Sequence, residues 1–241
     1  MLVTDQLRTN SRLRAVVFDM DGVLVDSHPA HRLAWRRFLH TVGKQVIESE
    51  LDFVLEGRKR REILLHFLGP LTDVQVEEYG RLKDELFWLA ASDIALVPGV
   101  REFIECIRNA GITLAVATSA GASRTRSILR RLGLLPYFTA VVTGDEVRSG
   151  KPDPEIYHLA CERIDCLPRT AVALEDAAAG VRAAKEAGLK CVGVTNSHSE
   201  AQLTAAGADC VIHDFVNLTL EDFRSRLGIQ RALGTAARNA P

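Results

Sequence analysis

The chain has 241 residues, enough for one or two domains with a sizeable buried core. Its composition, 47% hydrophobic and 25% charged, is typical of a folded globular protein. The net charge of −1 provides no global attraction to nucleic acid or to a membrane surface, and no apolar run approaches the ~20 residues of a membrane span. Met1 to Arg14 lacks the apolar core of a signal peptide, so we expect a cytoplasmic protein that binds neither nucleic acid nor membrane.

The cysteine pattern is compatible with that compartment. The cysteines are odd in number, scattered, and contain no C-x-x-C pair, which favours free thiols in a reducing environment over a metal site or a disulfide framework. Their positions are Cys106, Cys161, Cys166, Cys191 and Cys210.

The first strong pattern along the chain joins a short apolar run to two acids. Ala15 to Phe18 is β-branched and too short for a helix, which predicts a buried strand. Asp19, Asp21 and Gly22 follow it, and buried carboxylates are tolerated only when they are paired or bound to a metal. Ligand crevices in open α/β sheets lie beyond the carboxyl ends of strands, where these acids fall. The alternative is a strand followed by a solvated Asp-Gly turn.

The segment from Ser27 to Leu96 has helical patterns. Asp26-Ser27-His28-Pro29 has the composition of a helix start, with a capping residue before proline. No part of the segment resembles a strand, so we expect a helical insertion of about half the usual domain size. The predicted helices are His31 to Val42, Glu48 to Leu55, Arg60 to Leu68 and Asp73 to Ala91.

From Pro98 onward, helix and strand patterns alternate, and glycine follows several helices as a stop signal. Such alternation implies right-handed crossovers and a mainly parallel, doubly wound sheet. We predict an α/β core of residues 1–26 and 98–241 with an inserted helical cap of residues 27–97, and a frayed tail from Gln230. The predicted strands are Thr113 to Ala117, Ala140 to Thr143, Ala171 to Leu174, Cys191 to Val194 and Cys210 to Ile212, and the helices are Val100 to Asn109, Ser123 to Leu132, Pro154 to Arg163, Ala177 to Ala187, Glu200 to Ala206 and Leu218 to Leu227.

Two of these strands lead to residues that could bind a phosphate. Thr118 and Ser119 offer hydrogen bonds beside a helix N-terminus, although Thr-Ser before a helix is more often a plain N-cap. Lys151 lies between Gly150 and Pro152, where a held cation could neutralise a carboxylate and a phosphate together. The alternative is a surface lysine in a proline-rich loop.

A third strand ends in a second pair of acids, Glu175 and Asp176. Two acid pairs at one edge of a sheet repel each other strongly unless a divalent cation lies between them. Mg²⁺ suits such a place because it binds carboxylate, carbonyl and water oxygens. The sequence therefore indicates a Mg²⁺ site where Asp19 and Asp21 also lie.

Taken together, these segments resemble the four motifs of the haloacid dehalogenase superfamily. The matching segments are Asp19-x-Asp21-Gly22-Val23, the strand end at Thr118, Lys151-Pro152 and Glu175-Asp176. The resemblance extends from about Arg14 to Leu227. The insertion after the first motif resembles the helical cap of the superfamily's first class (C1), most closely that of its β-phosphoglucomutase-like branch.

The resemblance implies catalytic roles for several of these residues. Asp19 would be the nucleophile that forms an aspartyl-phosphate, and Asp21 the general acid and then the general base. Thr118 and Ser119 would hold the phosphoryl oxygens, and Lys151 would bridge the nucleophile and the phosphate.

The resemblance also implies a Mg²⁺ cofactor. Asp19 and the backbone carbonyl of Asp21 would be ligands, Asp176 would bind the metal directly, and Glu175 would be a ligand or a partner of one. Superfamily members that cleave carbon–halogen bonds lack an acid at the position of Asp21 and use no metal. The acid here therefore implies phosphate monoester hydrolysis or phosphomutase chemistry.

In the insertion, the segment from Asp26 to Trp35 resembles the first cap helix of the β-phosphoglucomutase-like branch, which would place His31 over the site and Trp35 beneath it. Gly57-Arg58-Lys59-Arg60 resembles the substrate-specificity loop, in which Arg60 would bind a distal phosphate or a sugar. The alternatives are a packed or solvated helix histidine at His31, a core role for Trp35, and a solvated helix start at Arg60.

One loop departs from the mutase pattern. Mutases of this branch carry Ser-Lys-Asn after the second motif, whereas this chain has Ser119-Ala120-Gly121-Ala122-Ser123. We therefore expect a Mg²⁺-dependent phosphatase of a small sugar phosphate or similar metabolite, acting as a monomer or weak dimer. The alternatives are a β-phosphoglucomutase-type phosphomutase and, more remotely, an inactive binding protein.

Overall fold

The structure is a computed structural model and describes residues 12–229. The expectations for most of the N-terminal segment and for a frayed tail from Gln230 lie outside this range. The strands are β1 (Ala15–Phe18), β2 (Val25–Asp26), β3 (Ala95–Leu96), β4 (Thr113–Thr118), β5 (Ala140–Thr143), β6 (Ala171–Glu175), β7 (Lys190–Val194) and β8 (Cys210–Ile212). The α-helices are α1 (His28–Thr41), α2 (Arg60–Leu68), α3 (Asp73–Ala90), α4 (Val100–Asn109), α5 (Ala122–Arg131), α6 (Glu155–Arg163), α7 (Ala178–Glu186), α8 (Glu200–Ala205) and α9 (Leu220–Arg226).

Six strands form one parallel sheet in the order β5-β4-β1-β6-β7-β8. In the central strand β1, Ala15 pairs with Thr113 of β4 on one side and with Ala171 of β6 on the other. Every residue of β1 and β6 is buried, as expected for apolar strands that are covered on both faces. The prediction of a doubly wound α/β fold with an inserted helical cap is confirmed.

Separate apolar clusters cover the two faces of the sheet. One cluster joins Phe18 to Phe103 of α4 and Phe223 of α9, and the other joins strand residues to Tyr157 of α6 and Val181 of α7. All five of these side chains are at most 1% exposed. Burial of large apolar side chains contributes roughly 1.5–3 kcal/mol each, so both faces hold the sheet rigidly in place.

The insertion has an apolar cluster of its own. It is built around Trp35, Phe38, Leu51 and Leu64, and includes a 3₁₀ helix at Glu48–Leu55. The chain enters and leaves the insertion through a two-stranded antiparallel ribbon of β2 and β3. The expectation of no strand between Ser27 and Leu96 is therefore wrong at β3, because a strand of two residues is too short to show a pattern. The domain boundaries at 27 and 97 stay a prediction.

The strand order places the candidate site. β4 and β6 lie on opposite sides of β1, so the order reverses at β1, and the carboxyl ends of all three strands meet at one edge. The helices of the insertion lie over this edge and line a cavity with it. Within the described range, no helix combines the length and the apolar character needed to cross a membrane.

Candidate active site

Acidic side chains from two strand ends meet at the carboxyl edge of the sheet. Asp19 follows β1, and its N–H donates to the carbonyl of Leu174 in β6 at 2.9 Å. Glu175 is the last residue of β6, and Asp176 follows it. One oxygen from each of Asp19, Glu175 and Asp176 lies within 4.8 Å of the others, and all three residues are buried. We call these three residues the acid cluster.

Lys151 reaches the acid cluster from the loop after β5. Its Nζ donates to Oδ1 of Asp19 at 2.7 Å, to Oε1 of Glu175 at 2.6 Å and to the carbonyl of Ala117 at 3.1 Å. Burial by itself would lower the pKa of Lys151, but Asp19 and Glu175 raise this pKa above its ordinary value. Lys151 is 1% exposed, so the alternative of a surface lysine is wrong. The hydroxyl of Tyr157 donates to Glu175 as well.

The acid cluster carries more negative charge than Lys151 balances. Burial, aided by the charge of Glu175, raises the pKa of Asp19 to about 7 despite the attraction of Lys151. Burial and the charge of Asp19 raise the pKa of Asp176 well above its ordinary value. Within residues 12–229, Oδ2 of Asp176 is buried without a hydrogen bond, although Nε2 of His28 lies 3.2 Å away. Burial of a carboxylate oxygen without a partner destabilises the folded state unless a cation or a hydrogen-bond donor reaches the oxygen.

The acid cluster fits a divalent metal ion. Its donors are oxygens only, which suits a hard cation such as Mg²⁺. Gly22 has a left-handed φ of 80°, and a Cβ at this position would overlap the carboxylate of Asp176 and the ring of His28. A Cβ at Gly180 would overlap the carboxylate of Glu175. The two glycines thus keep open the space around the carboxylates that could hold a metal.

Asp21 has a different set of partners. Arg124 donates to both of its carboxylate oxygens, from Nη2 to Oδ2 at 2.9 Å and from Nη1 to Oδ1 at 3.2 Å. The hydroxyl of Ser27 donates to Oδ1 at 2.5 Å. Burial by itself would raise the pKa of Asp21, but the charge of Arg124 and the hydrogen bond from Ser27 lower this pKa well below its ordinary value. The side chain of Asp21 is therefore not part of the acid cluster, and its backbone carbonyl stays the predicted metal ligand.

The helix start predicted at Ser27 is found, but its capping bond is not. Ser27 directly precedes α1, and Pro29 lies in its first turn. The helix begins at His28, three residues before the predicted start at His31. The hydroxyl of Ser27 makes no capping hydrogen bond, since it binds Asp21. The serine hydroxyl that predicts a helix cap thus binds a carboxylate of the candidate site.

Thr118 and Ser119 lie at the end of β4, beside Asp19. Thr118 is 1% exposed, and its Oγ1 accepts a hydrogen bond from the N–H of Ala120 at 3.2 Å. The hydroxyl of Ser119 donates to the carbonyl of Gly57 in the insertion at 2.5 Å, so it joins the core to the predicted specificity loop. The alternative of a Thr-Ser helix cap is wrong, because Gly121 is the residue that precedes α5.

In the insertion, His31 and Trp35 lie on the same helix but have different surroundings. His31 is buried, with Nε2 at 3.4 Å from Oδ1 of Asp21 and 2.7 Å from Nη1 of Arg124. Trp35 is 2% exposed and packs edge-on against Phe38 in the apolar cluster of the insertion. His31 therefore reaches the candidate site, whereas Trp35 is mainly a core residue that also lines the cavity.

Arg60 lines the same cavity, but its guanidinium is paired. Nη1 of Arg60 donates to Oδ2 of Asp84 in α3 at 2.7 Å, and the arginine side chain is 39% exposed. Beside it in the loop, Nζ of Lys59 donates to the carbonyl of Val147 in the core at 2.8 Å. Contact between Arg60 and a substrate stays a prediction.

Two basic side chains of the cavity, Arg124 and Lys83, were not predicted from the sequence. Arg124 lies in the first turn of α5, directly after the loop from Ser119 to Ser123 that lacks the mutase residues. Lys83 of α3 is 3% exposed, with Nζ 3.2 Å from Nδ1 of His31. No sequence signal marks Lys83, because a lysine in an amphipathic helix is usually solvated.

Buried carboxylates, a lysine that binds them and the helices above them form the candidate active site, at the carboxyl edge of the parallel sheet of an α/β protein. Comparison with known proteins gives the family. Residues 13–188 match the model of haloacid dehalogenase-like hydrolases. The phosphorylated carbohydrates phosphatase of Thermotoga maritima is 38% identical over 205 residues, which cover 83% of this chain and 94% of that protein.

Two further matches agree. β-Phosphoglucomutase of Bacillus subtilis is 32% identical over 218 residues, covering 87% of this chain and 93% of that protein. The crystal structure of CbbY from Rhodobacter sphaeroides in complex with phosphate aligns with a TM-score of 0.76 at 32% identity, covering 87% of this chain and 98% of that one. The chain belongs to the haloacid dehalogenase-like hydrolases and is an enzyme of their β-phosphoglucomutase-like branch, so the resemblance is confirmed.

Proposed function

We propose that this chain is a Mg²⁺-dependent phosphatase of a small phosphorylated carbohydrate or similar metabolite, acting through an aspartyl-phosphate on Asp19. The observation that carries the proposal is the position of Asp19 under a cavity lined by basic side chains. Lys151 holds Asp19 beside Oδ2 of Asp176, which has no hydrogen bond from any residue that the structure describes. A cavity of this kind suits a phosphate ester, whose hydrolysis needs positioning and charge neutralisation above all. A relative named for phosphorylated carbohydrates supports the substrate class.

In the first step, a carboxylate oxygen of Asp19 attacks phosphorus, and the bond from phosphorus to the ester oxygen breaks. The leaving oxygen takes a proton from the carboxyl of Asp21 and departs as an alcohol. Lys151 offsets charge on Asp19 and on the phosphoryl oxygens, and the hydroxyl of Thr118 and the backbone N–H of Ser119 donate hydrogen bonds to these oxygens. The helical cap excludes bulk water from the reacting atoms.

In the second step, water attacks phosphorus of the aspartyl-phosphate. The carboxylate of Asp21 takes a proton from this water, and Asp19 leaves as a free carboxylate with release of inorganic phosphate. The pKa of Asp21, which Arg124 helps to hold well below its ordinary value, favours the ionised form that this step needs and disfavours the protonated form that the first step needs. The proton that Asp21 takes from the water is the one that it gives to the next leaving oxygen. Both carboxyl groups return to their starting state.

Asp19, Asp176 and the backbone carbonyl of Asp21 would hold the metal. When bound, Mg²⁺ supplies positive charge that offsets the acid cluster and the phosphoryl oxygens. Glu175 already accepts hydrogen bonds from Lys151 and Tyr157. We therefore assign Glu175 mainly to the positioning of Lys151.

Phosphomutase chemistry is the second candidate, because a β-phosphoglucomutase is among the relatives. In that reaction the aspartyl-phosphate returns its phosphoryl group to a second sugar hydroxyl. The loop from Ser119 to Ser123 lacks the polar residues of the mutases, which favours hydrolysis.

The discriminating experiment incubates the chain with Mg²⁺ and a panel of sugar phosphates, following free phosphate and isomerised sugar phosphate together. Phosphate release from several substrates is the expected result. Interconversion of β-glucose 1-phosphate and glucose 6-phosphate, primed by the bisphosphate, would favour the phosphomutase over the phosphatase. If the folded protein forms neither product, an inactive binding protein would be favoured.

A further inference from the structure

Arg124 connects the core to the insertion at the candidate site. It lies in the first turn of α5, and its side chain is 10% exposed. Its guanidinium binds Asp21 of the core and His31 of α1, and lies 4.9 Å from the ring centroid of Phe87 in α3. A guanidinium is always charged and only donates hydrogen bonds. Each polar contact of Arg124 therefore has a defined direction.

The direction of one contact fixes the tautomer of His31. Nη1 of Arg124 lies 2.7 Å from Nε2 of His31, so this ring nitrogen accepts and carries no proton. The proton of a neutral imidazole is then on Nδ1, which lies 3.2 Å from Nζ of Lys83. In this arrangement the ring donates to an uncharged amine.

The electrostatic surroundings agree with this assignment. An imidazolium donates from both ring nitrogens, so a ring whose Nε2 accepts from Arg124 is neutral. Burial and Arg124 lower the pKa of Lys83 to about 7, despite Asp84 at 3.9 Å. An uncharged amine at Lys83 is therefore accessible near neutral pH.

The same guanidinium holds the carboxylate of Asp21 by two parallel hydrogen bonds, a geometry that fixes direction as well as distance. Nε2 of His31 lies 3.4 Å from Oδ1 of Asp21. If Arg124 were absent, this nitrogen could hold the proton and donate to Asp21, while Nδ1 accepted from a charged Lys83. The presence of Arg124 therefore decides which nitrogen of His31 carries the proton, and with it the direction of the hydrogen bonds that join Asp21, His31 and Lys83.

We propose that Arg124 is a positioning residue that orients the carboxylate of Asp21 for proton transfer and keeps His31 in the form protonated on Nδ1. The catalytic part rests on the proposed function, because it assigns proton transfer to Asp21. The tautomer of His31 does not depend on that function. The two parts can therefore fail separately.

The first test reads the tautomer directly, by long-range ¹H–¹⁵N NMR of the histidine side chains in the full chain, with His31→Gln to assign the signal. The wild type should carry the His31 proton on Nδ1, and Arg124→Met should move it to Nε2. Arg124→Lys should keep Nδ1 protonated because an ammonium still donates, and Arg126→Met, at an exposed position of the same helix, should change nothing. Protonation of Nε2 in the wild type, or an unchanged tautomer in Arg124→Met, would overturn the assignment.

The second test separates positioning from substrate binding. Arg124→Met should lower kcat by about ten- to a hundredfold, the scale of a misplaced catalytic group, while KM changes by less than about threefold. Arg124→Lys, which also serves if the methionine variant melts early, should recover part of kcat but not all, because an ammonium cannot form the fork. A raised KM with an unchanged kcat would make Arg124 a substrate-binding residue and contradict the proposal. A wild type that releases no phosphate from any substrate would refute the proposed function, and the NMR result would still decide the tautomer.

Discussion

Asp19 and Asp21 are two residues apart in the sequence, yet they occupy opposite electrostatic environments. Asp19 lies in the acid cluster, where burial and Glu175 raise its pKa to about 7. Asp21 faces Arg124 and His31, and its pKa is well below the ordinary value. The side chains are 10% exposed at Asp19 and 19% exposed at Asp21, so the difference comes mainly from their partners on distant elements. Spacing in a motif brings two carboxylates to one place, and the surrounding helices and loops give them different proton affinities.

The contrast extends to the whole cavity. The floor consists of the acid cluster, which Lys151 does not fully neutralise. The opposite wall, which we call the roof, is lined by the guanidinium groups of Arg60 and Arg124 and by the amine of Lys83. A floor of this kind attracts a cation and the roof attracts an anion. The proposed substrate, a phosphate ester bound with Mg²⁺, meets both requirements.

Asp19→Asn tests the floor and has the largest expected effect. Turnover should fall by at least about 10³-fold, since an amide does not replace a carboxylate nucleophile. The fold should be kept, because Lys151 still pairs with Glu175. Phosphate release and a thermal melt followed by circular dichroism measure the two effects.

The matched control for this variant is Asp165→Asn. Asp165 is exposed and has a φ of 48°, a conformation that asparagine also adopts readily. It should retain wild-type turnover. Near wild-type activity in Asp19→Asn itself would remove Asp19 as the nucleophile.

Asp176→Asn tests whether the floor holds the cation. Mg²⁺ should raise the melting temperature of the wild type, since saturation at a hundred times Kd stabilises by about 2.7 kcal/mol, and the variant should lose most of this shift. Folding raises the pKa of Asp176, so the metal-free wild type loses stability as pH rises above the ordinary value of this carboxyl. Asparagine does not ionise, so the Asp176→Asn variant does not lose stability in this way. Without metal, the variant should therefore melt at a higher temperature than the wild type at pH 8. An equal Mg²⁺ shift in both proteins would place the cation elsewhere.

Lys83→Met tests the charge of the roof. Folding lowers the pKa of Lys83 from 10.5 to about 7, so the unfolded chain binds more protons between these values and the stability of the wild type rises with pH across this window. At about 1.4 kcal/mol per pKa unit, the cost below pH 7 amounts to roughly a few kcal/mol. Urea unfolding should show a gain for Lys83→Met that is larger at pH 6 than at pH 9.5. The exposed Lys44→Met serves as the control, and a gain that does not depend on pH would refute the buried-amine explanation.

Arg60→Ala has the smallest expected effect. Because Arg60 pairs with Asp84 at a partly exposed position, stability should change by less than about 1 kcal/mol. Activity on preferred sugar phosphates should fall by about tenfold, the scale of one lost charged contact, with little change for an aryl phosphate that lacks a distal group. Arg81→Ala removes an exposed pair with Glu85 and is the matched control. Equal losses on both substrate types would argue against a specificity role.

The sequence predicts the floor much better than the roof. Asp19, Thr118, Lys151 and Glu175 could be found because each lies at or beyond the end of a strand, and strand ends of a parallel sheet must meet. The positions of the side chains in the roof depend on how the helices of the insertion pack over the carboxyl edge of the sheet. Lys83 and Arg124 lie in helices where charged residues are ordinarily solvated, so their burial follows from the three-dimensional packing alone.

Formation of a phosphoryl group on Asp19 is the central claim, and an Asp21→Asn variant tests it most directly. With p-nitrophenyl phosphate and Mg²⁺, the leaving group needs no general acid, so the first step should proceed while the second step lacks its base. Mass spectrometry of the acid-quenched protein should find one added phosphoryl group on the peptide that contains Asp19. Release of p-nitrophenol without this modification, or with the phosphoryl group on another residue, would contradict the account.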